Sequence, residues 1–325
     1  MQLHGLHHVT AVTSDAPGNL DFYTRVLGMR LVKKTVNQDD TSAYHLFYAD
    51  KLGSAGTDMT FFDWAHIGAD RRGTDSIVNT MFRVNGAAAL DYWAARFDTF
   101  GVAHEPITTF AGRSILRFQD AEGQRLTLVD DGGADFHGEV WDQAGIPVEY
   151  AIRGFFGVTL SVPTLNQVGV LLTQILNFHE IGRYPNPENP QEEVVIFTTE
   201  PGSSSVGKEV HVRVQPNMPR ARLGAGGVHH VAFRVTDADE QRQWMQHLSR
   251  YGVATSGEVD RFYFRSLYFR ISGGILFELA TDGPGFATDE PLETMGERLS
   301  LPPFLEHQRA RIEANLRPLD TVRTK

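Results

Sequence analysis

Two histidine pairs are the first candidates for chemistry. His7-His8 sits in Gly5-Leu6-His7-His8-Val9-Thr10 and His229-His230 in Gly227-Val228-His229-His230-Val231-Ala232, so one short phrase occurs near both ends of the chain. Read as strands, the side chains alternate. His8, Thr10 and Val12 then share one face, His230 and Ala232 share another, and His7 and His229 point the opposite way. A third candidate, Glu278, lies in the apolar run Gly273-Gly274-Ile275-Leu276-Phe277-Glu278-Leu279-Ala280. A lone carboxylate is costly to bury, so it wants a metal, an arginine or a proton. Two imidazoles and one carboxylate on the concave sides of curved sheets form a facial triad. Such a set leaves positions open on iron(II) for a chelating phenolate and O2 together. Iron would answer a chemical problem, since ground-state O2 reacts poorly with closed-shell aromatics. A single histidine pair is more simply explained as packing; two pairs at matching places, with a carboxylate, are not.

Arg261 and Tyr268 precede Glu278 and fall on neighbouring strands. Arg261 could neutralise a phenolate or peroxide, and Tyr268 could donate or accept a proton. His7 and His229 could orient ligands or substrate from behind. Of the remaining histidines, His45 and His66 are the two that could approach a cleft, and neither is expected as a ligand. Gly53 to Gly56 and Gly224 to Gly227 lack a phosphate-binding pattern.

The elements that must position these residues repeat. After the first pair comes a helical pattern from Pro17 to Leu27, with Leu20, Tyr23 and Leu27 on one side, stopped by Gly28. After the second comes Asp239 to Tyr251, with Trp244, Leu248 and Tyr251 on one side, stopped by Gly252. Terminal glycines supply the left-handed turn that ends a helix. Both then enter aromatic-rich strands. Weaker copies start at Asn79 and at Gly157. The pattern predicts an α+β fold of four βαβββ modules paired into two curved-sheet halves. Residues 1–131 hold the first two modules, 132–152 a linker, 153–282 the last two, and 283–325 a tail. Pro185 to Glu192 reads as a surface loop, and Phe304 to Leu316 as a helix laid over the body.

Composition narrows the partners. The 325 residues carry a formal charge of -10, which disfavours nucleic acid and anionic membranes. With 41% hydrophobic and 22% charged residues the chain reads as an ordinary globular protein, and it has no long apolar run or basic leader. The absence of cysteine excludes disulfides and thiolate chemistry and fits a reducing cytoplasm.

With these residues in place, the chain resembles the vicinal oxygen chelate (glyoxalase/bleomycin resistance/extradiol dioxygenase) superfamily, and within it bacterial ring-cleaving dioxygenases of the hydroquinone 1,2-dioxygenase type. The likeness rests on His7-His8-Val9-Thr10, Lys33 to Asp40 with Tyr44-His45-Leu46, Gly56-Thr57 and Thr60-Phe61-Phe62. It continues through Gly227 to Ala232, Arg261, Tyr268, Phe277 to Asp282 and Leu301 to Glu306. It implies a metal held by His8, His230 and Glu278, with substrate or supporting roles for His7, Thr10, His229, Arg261 and Tyr268. It also implies iron(II), with manganese(II) as the second candidate, a small dihydroxylated aromatic and O2 as substrates, and a homodimer by analogy. Two other functions compete on this fold. A glyoxalase-type lyase or isomerase would place a carboxylate on the last strand of both metal-binding modules; the matching place in the first module reads as Phe61 or Phe62. A non-catalytic binder of aromatic ligands would need no triad.

Overall fold

The computed structural model describes residues 1–202 and 207–323. Strand, helix and three strands follow one another four times. The first module is β1 (Leu6–Thr13), helix α1, β2 (Arg30–Val36), β3 (Tyr44–Ala49) and β4 (Asp58–Asp63). The second is β5 (Ser76–Val84), α2 (Ala87–Phe100), β6 (Thr108–Phe110), β7 (Arg113–Gln119) and β8 (Arg125–Asp130). The third is β9 (Phe155–Val162), helix α3, β10 (His179–Asn186), β11 (Asn189–Thr198) and β12 (Glu209–Val214). The fourth is β13 (Val228–Val235), α4 (Ala238–Arg250), β14 (Thr255–Asp260), β15 (Arg265–Arg270) and β16 (Leu276–Thr281). Helix α1 starts as an α-helix over Ala16–Asp21 and continues as a π-helix over Phe22–Val26; α3 does the same over Asn166–Val170 and Leu171–Ile175. Gly28 and Gly252 end their helices at φ +67° and +72°, a region open to glycine at little cost.

The modules do not pair in sequence order. β1 pairs with β13 antiparallel, joining the first module to the fourth, and β5 pairs with β9, joining the second to the third. Each union is an eight-stranded sheet, in the order β2-β3-β4-β1-β13-β16-β15-β14 for the outer modules and β10-β11-β12-β9-β5-β8-β7-β6 for the inner ones. The two touch through the bridge Val228↔Ile77. Hydrogen bonding thus crosses the division of the chain at residue 131 that the sequence suggested.

The outer sheet must be strongly curled. Asp39 follows β2 and Arg261 follows β14, at opposite edges, so seven strand spacings of about 4.8 Å would hold them about 33 Å apart in a flat sheet. Instead Asp39 Oδ2 and Arg261 Nη2 lie 2.9 Å apart. Gln38 Nε2 also donates to the Arg261 carbonyl at 2.8 Å. Alternation then assigns the faces. Val9, Ala11, Phe277 and Leu279 join the main core under the helices, where Trp93 and Trp244 are fully buried. Phe47, Ala49, Ala232 and Ala280 form a second cluster on the inner side with Tyr263, Phe264 and Phe286.

Two expectations need correction. Pro185 to Glu192 is not a free loop: β10 runs to Asn186 and β11 begins at Asn189, making a hairpin with a two-residue turn. β10 is an edge strand, and proline is tolerated there because one side of the ladder is unpaired. The tail helix is broken into Pro303–Glu306 and Arg309–Asn315, with Leu305, Ile312 and Leu316 buried. Among the described residues no helix is long and apolar enough to cross a membrane.

The tail is anchored by charge. Lys33, fully buried on β2, donates to Asp289 Oδ1 at 2.6 Å and Glu290 Oε2 at 2.5 Å. Removing one partner of a buried pair leaves the other uncompensated. Lys33→Ala is expected to cost about 3–5 kcal/mol, read as a lower urea midpoint at unchanged m-value.

Candidate metal centre and substrate cleft

The register of three adjacent strands brings the donors together. On the β1–β13 ladder His8 is opposite Ala232 and Thr10 opposite His230; on β13–β16 Ala232 is level with Glu278. Ala232 therefore stands between His8 and Glu278, and its methyl leaves the space above it to their longer side chains. His8 Nε2 lies 3.2 Å and His230 Nε2 3.0 Å from Glu278 Oε2, and the two nitrogens are 3.3 Å apart. All three residues are buried, Glu278 completely. An octahedron with metal–ligand bonds of about 2.1 Å has edges of about 3.0 Å, so these separations suit three facial ligands of one divalent ion. Among the described residues this is the only cluster of three such donors.

The hydrogen bonds behind the triad favour the metal-ready form. His7 Nε2 lies 3.1 Å from the Thr281 carbonyl, which can only accept, so that nitrogen carries the proton. Burial, with His8 beside it, pushes His7 down to about 3, so the ring is neutral and its Nδ1 is a bare acceptor. His7 Nδ1 is 2.9 Å from His8 Nδ1, which must donate, so the tautomer of His8 that can bind a metal turns the lone pair of Nε2 toward Glu278. His229 Nδ1 stands 2.7 Å from His230 Nδ1 in the corresponding arrangement. Burial lowers His230, and burial with the neighbouring His230 lowers His229 to about 3. Burial alone would raise Glu278, but positive charge and hydrogen-bond donation at the facing nitrogens of His8 and His230 hold it well below the usual carboxylate range, and a cation in the place of those protons would act in the same sense. Neither Glu278 oxygen has a conventional hydrogen-bond donor. An anion facing two imidazole lone pairs calls for a cation between them, and the donor set fits one.

The cleft above the triad has aromatic walls, Phe47, Phe62, Phe264 and Tyr268, and a polar rim at Asn37, Gln38 and Asp39. Tyr268 is level with Glu278 on the β15–β16 ladder, and its ring centroid is 5.9 Å from that of His230. Its hydroxyl accepts from Arg261 Nε at 3.2 Å. Burial raises the Tyr268 phenol, so it stays protonated at neutral pH. Arg261 opens a tight turn whose next residue, Phe262, has φ +72°. A left-handed aromatic residue is strained, and the strain sits where the turn aims Arg261, Tyr263 and Phe264 into the cleft.

Of the residues singled out from sequence, His8, His230, Glu278, Arg261 and Tyr268 meet in the cleft. His7 and His229 stand behind His8 and His230, each with its Nδ1 against the neighbour's Nδ1. Thr10 bonds Thr60 at 2.8 Å, Oγ1 to Oγ1. His66 is exposed and outside the cleft. His45 lines it, 3.0 Å from Thr60 Oγ1, and burial, with His8 nearby, keeps its imidazole neutral. Its parity with Phe47 was the signal that sequence reasoning left unused. The register also corrects one position. Thr10 is level with Thr60 as Ala232 is with Glu278, so the first-module counterpart of Glu278 is Thr60, not Phe61 or Phe62.

These modules and this site define a family. Residues 5–128 and 158–282 match the model of the Glyoxalase/Bleomycin resistance protein/Dioxygenase superfamily, and the chain belongs to it. Nearer still, it is 48% identical, over 98% of its length and 100% of the other's, to MhqA of Bacillus subtilis (strain 168), named as a candidate ring-cleaving dioxygenase. It is 29% identical, over 94% of its length and 93% of the other's, to the chlorohydroquinone/hydroquinone 1,2-dioxygenase of Sphingobium indicum (strain UT26S). A crystal structure of a candidate dioxygenase from Bacillus subtilis subsp. subtilis str. 168 superposes with a TM-score of 0.89 at 34% identity, covering 98% of both chains.

Two outcomes follow from this geometry. His7→Ala should weaken divalent-metal binding about 10–100-fold, measured by competition with a chelator, although His7 itself binds no metal. Asp58 lies two residues before Thr60, buried, with neither oxygen hydrogen-bonded. Burial, then repulsion from Asp50, pushes its carboxyl well above the usual range. The folded protein therefore holds a proton that the unfolded chain releases, and stability is lost as pH rises from about 4 toward the folded value. Asp58→Asn should stabilise the protein at pH 7 and be neutral below pH about 4, checked by urea unfolding across pH.

Proposed function

We propose that the chain is an iron(II)-dependent ring-cleaving dioxygenase that inserts O2 into a hydroquinone or a related dihydroxylated aromatic. The observation that carries this reading is the triad of His8, His230 and Glu278 beneath an aromatic cleft, with threonine at the place of a fourth ligand. The names of the relatives above support the same direction. A glyoxalase-type lyase would use a carboxylate where Thr60 stands, and a pure binder would not need an anion and two lone pairs aimed at one point.

His8, His230 and Glu278 would hold the ion; when bound, iron(II) supplies the one-electron chemistry that lets triplet O2 react with a closed-shell ring. The chain's own residues do the rest. Phe47, Phe62 and Phe264 hold the ring edge-on or face-on and exclude water. Arg261, fixed by Asp39 and Tyr268, places a guanidinium where a phenolate or later an oxyanion needs neutralising. Tyr268, kept protonated by burial, can donate its proton and be recharged through solvent at the Asp39 rim. His45, neutral and tied to Thr60, offers a second hydrogen-bonding group on the opposite wall.

Anaerobically purified protein loaded with iron(II) should consume O2 stoichiometrically with a hydroquinone and give a ring-opened product. Glu278→Ala should abolish uptake, and Tyr268→Phe should lower kcat by about 10²–10⁴-fold with metal content unchanged. Metal binding without uptake on any hydroquinone or catechol would overturn the reaction and keep the metal site.

A further inference from the structure

The inner sheet repeats the architecture of the outer one, so its inward face can be compared position by position. Asn79 is opposite Thr159 and Met81 opposite Gly157, as His8 is opposite Ala232 and Thr10 opposite His230. His211 is level with Thr159 as Glu278 is with Ala232, and Thr127 with Met81 as Thr60 is with Thr10. The places of His8, His230, Glu278 and Thr60 are thus taken by Asn79, Gly157, His211 and Thr127. His211 is occupied: it receives a hydrogen bond from Tyr184 at Nδ1 (2.9 Å), donates from Nε2 to Glu209 (2.8 Å), and stacks on Phe110. Met81, Ile115, Val129 and Phe156 pack with Phe110 to fill the deep part of this cleft.

The cleft is not filled to its mouth. Beside Asn79 and Thr127 remains a cavity of about 190 Å³ whose lining includes the apolar residues Val78, Phe118 and Leu126, the guanidiniums of Arg117, Arg125 and Arg213, and the carboxylates of Glu105 and Glu188. The two guanidiniums share one carboxylate, Glu188 Oε1, at 3.6 and 3.1 Å. Glu188 belongs to the two-residue turn between β10 and β11 and is itself 57% exposed. The Nε of Arg213 is buried with no hydrogen-bond partner. Burial lowers Arg125 to about 10, with Arg72 and Arg213 adding repulsion that Glu188 partly offsets. Arg117 in the same wall is already paired with Glu105 at 3.1 Å, whereas Arg125 and Arg213 share only the exposed Glu188 between them, and a shared, solvent-facing carboxylate can be exchanged for another.

We propose that this second cleft binds a small organic carboxylate, its carboxyl held by Arg125 and Arg213 and its apolar body against Val78, Phe118 and Leu126. Glu188 competes for the same guanidiniums, so its turn lifts as the carboxylate enters. The apolar walls favour a carboxylate with a hydrocarbon body over an inorganic anion. The inference is independent of the reaction proposed at the metal centre.

The test is calorimetric titration of the full chain with benzoate, and with inorganic phosphate as the comparison. Benzoate should bind at one site. Arg213→Gln should weaken it at least tenfold, with Arg213→Lys intermediate as a check that the fold survives. Glu188→Gln should tighten it several-fold, because the internal competitor is gone, and Glu278→Ala should leave it unchanged. No benzoate binding, or binding indifferent to Arg213 and Glu188, would overturn the site. Weaker binding in Glu188→Gln would overturn the competition, and phosphate binding as tight as benzoate would overturn the carboxylate class.

Discussion

The antiparallel ladder between β1 and β13 sets His8 opposite Ala232 and Thr10 opposite His230, and the rest of the site is arranged around that register. A slip of one residue would turn His8 into the helix-packed core and bring Val9 to the cleft. Because β16 continues the sheet beyond β13, Glu278 arrives at the level of Ala232, and a small residue at that place becomes a requirement. The burial of Glu278 is costly by itself. It is compensated only by positive charge at His8 and His230 or between them, and this ties the stability of the inner face to what those two rings hold.

Much of this was legible in the sequence because strand alternation and histidine spacing are local. The repeated phrase around His7-His8 and His229-His230 gave the module period, the glycines at 28 and 252 gave the helix ends, and Glu278 was conspicuous as a charge in an apolar run. What stayed hidden depends on pairing between distant strands. Nothing local in residues 1–131 says that the first module's partner lies at the far end of the chain while the second pairs with the module that follows it, so the union of first with fourth and second with third module had to come from the ladders. The same is true of Thr60, whose role is defined only once β4 is set in register beside β1. Pro185 misled because a proline-rich run argues against a central strand, and β10 is at the edge.

Comparing the two sheets shows how little of the scaffold the chemistry uses. The helix-packed faces are alike in kind, apolar and fully buried, whereas the inward faces carry His, His and Glu in one half and Asn, Gly and His in the other. Period-two alternation makes the faces independent, so the inward residues of one half can change without disturbing the core beneath them. Where the outer half sets one carboxylate against two imidazoles, the inner half sets two guanidiniums against one carboxylate.

The separation of the two donors along the chain also has a consequence for biosynthesis. His8 and His230 are 222 residues apart, which at about 5–20 residues per second takes roughly 10–45 s to span on the ribosome. During that interval β1 lacks β13, whereas β5 to β12 are completed before β13 is made. All the strands of the inner sheet thus exist before the outer sheet can form, and the edge of β1 that awaits β13 is the part that must be kept from pairing with another chain. The triad can assemble only after the last module has emerged, so an interrupted product would lack two of its three members, His230 and Glu278.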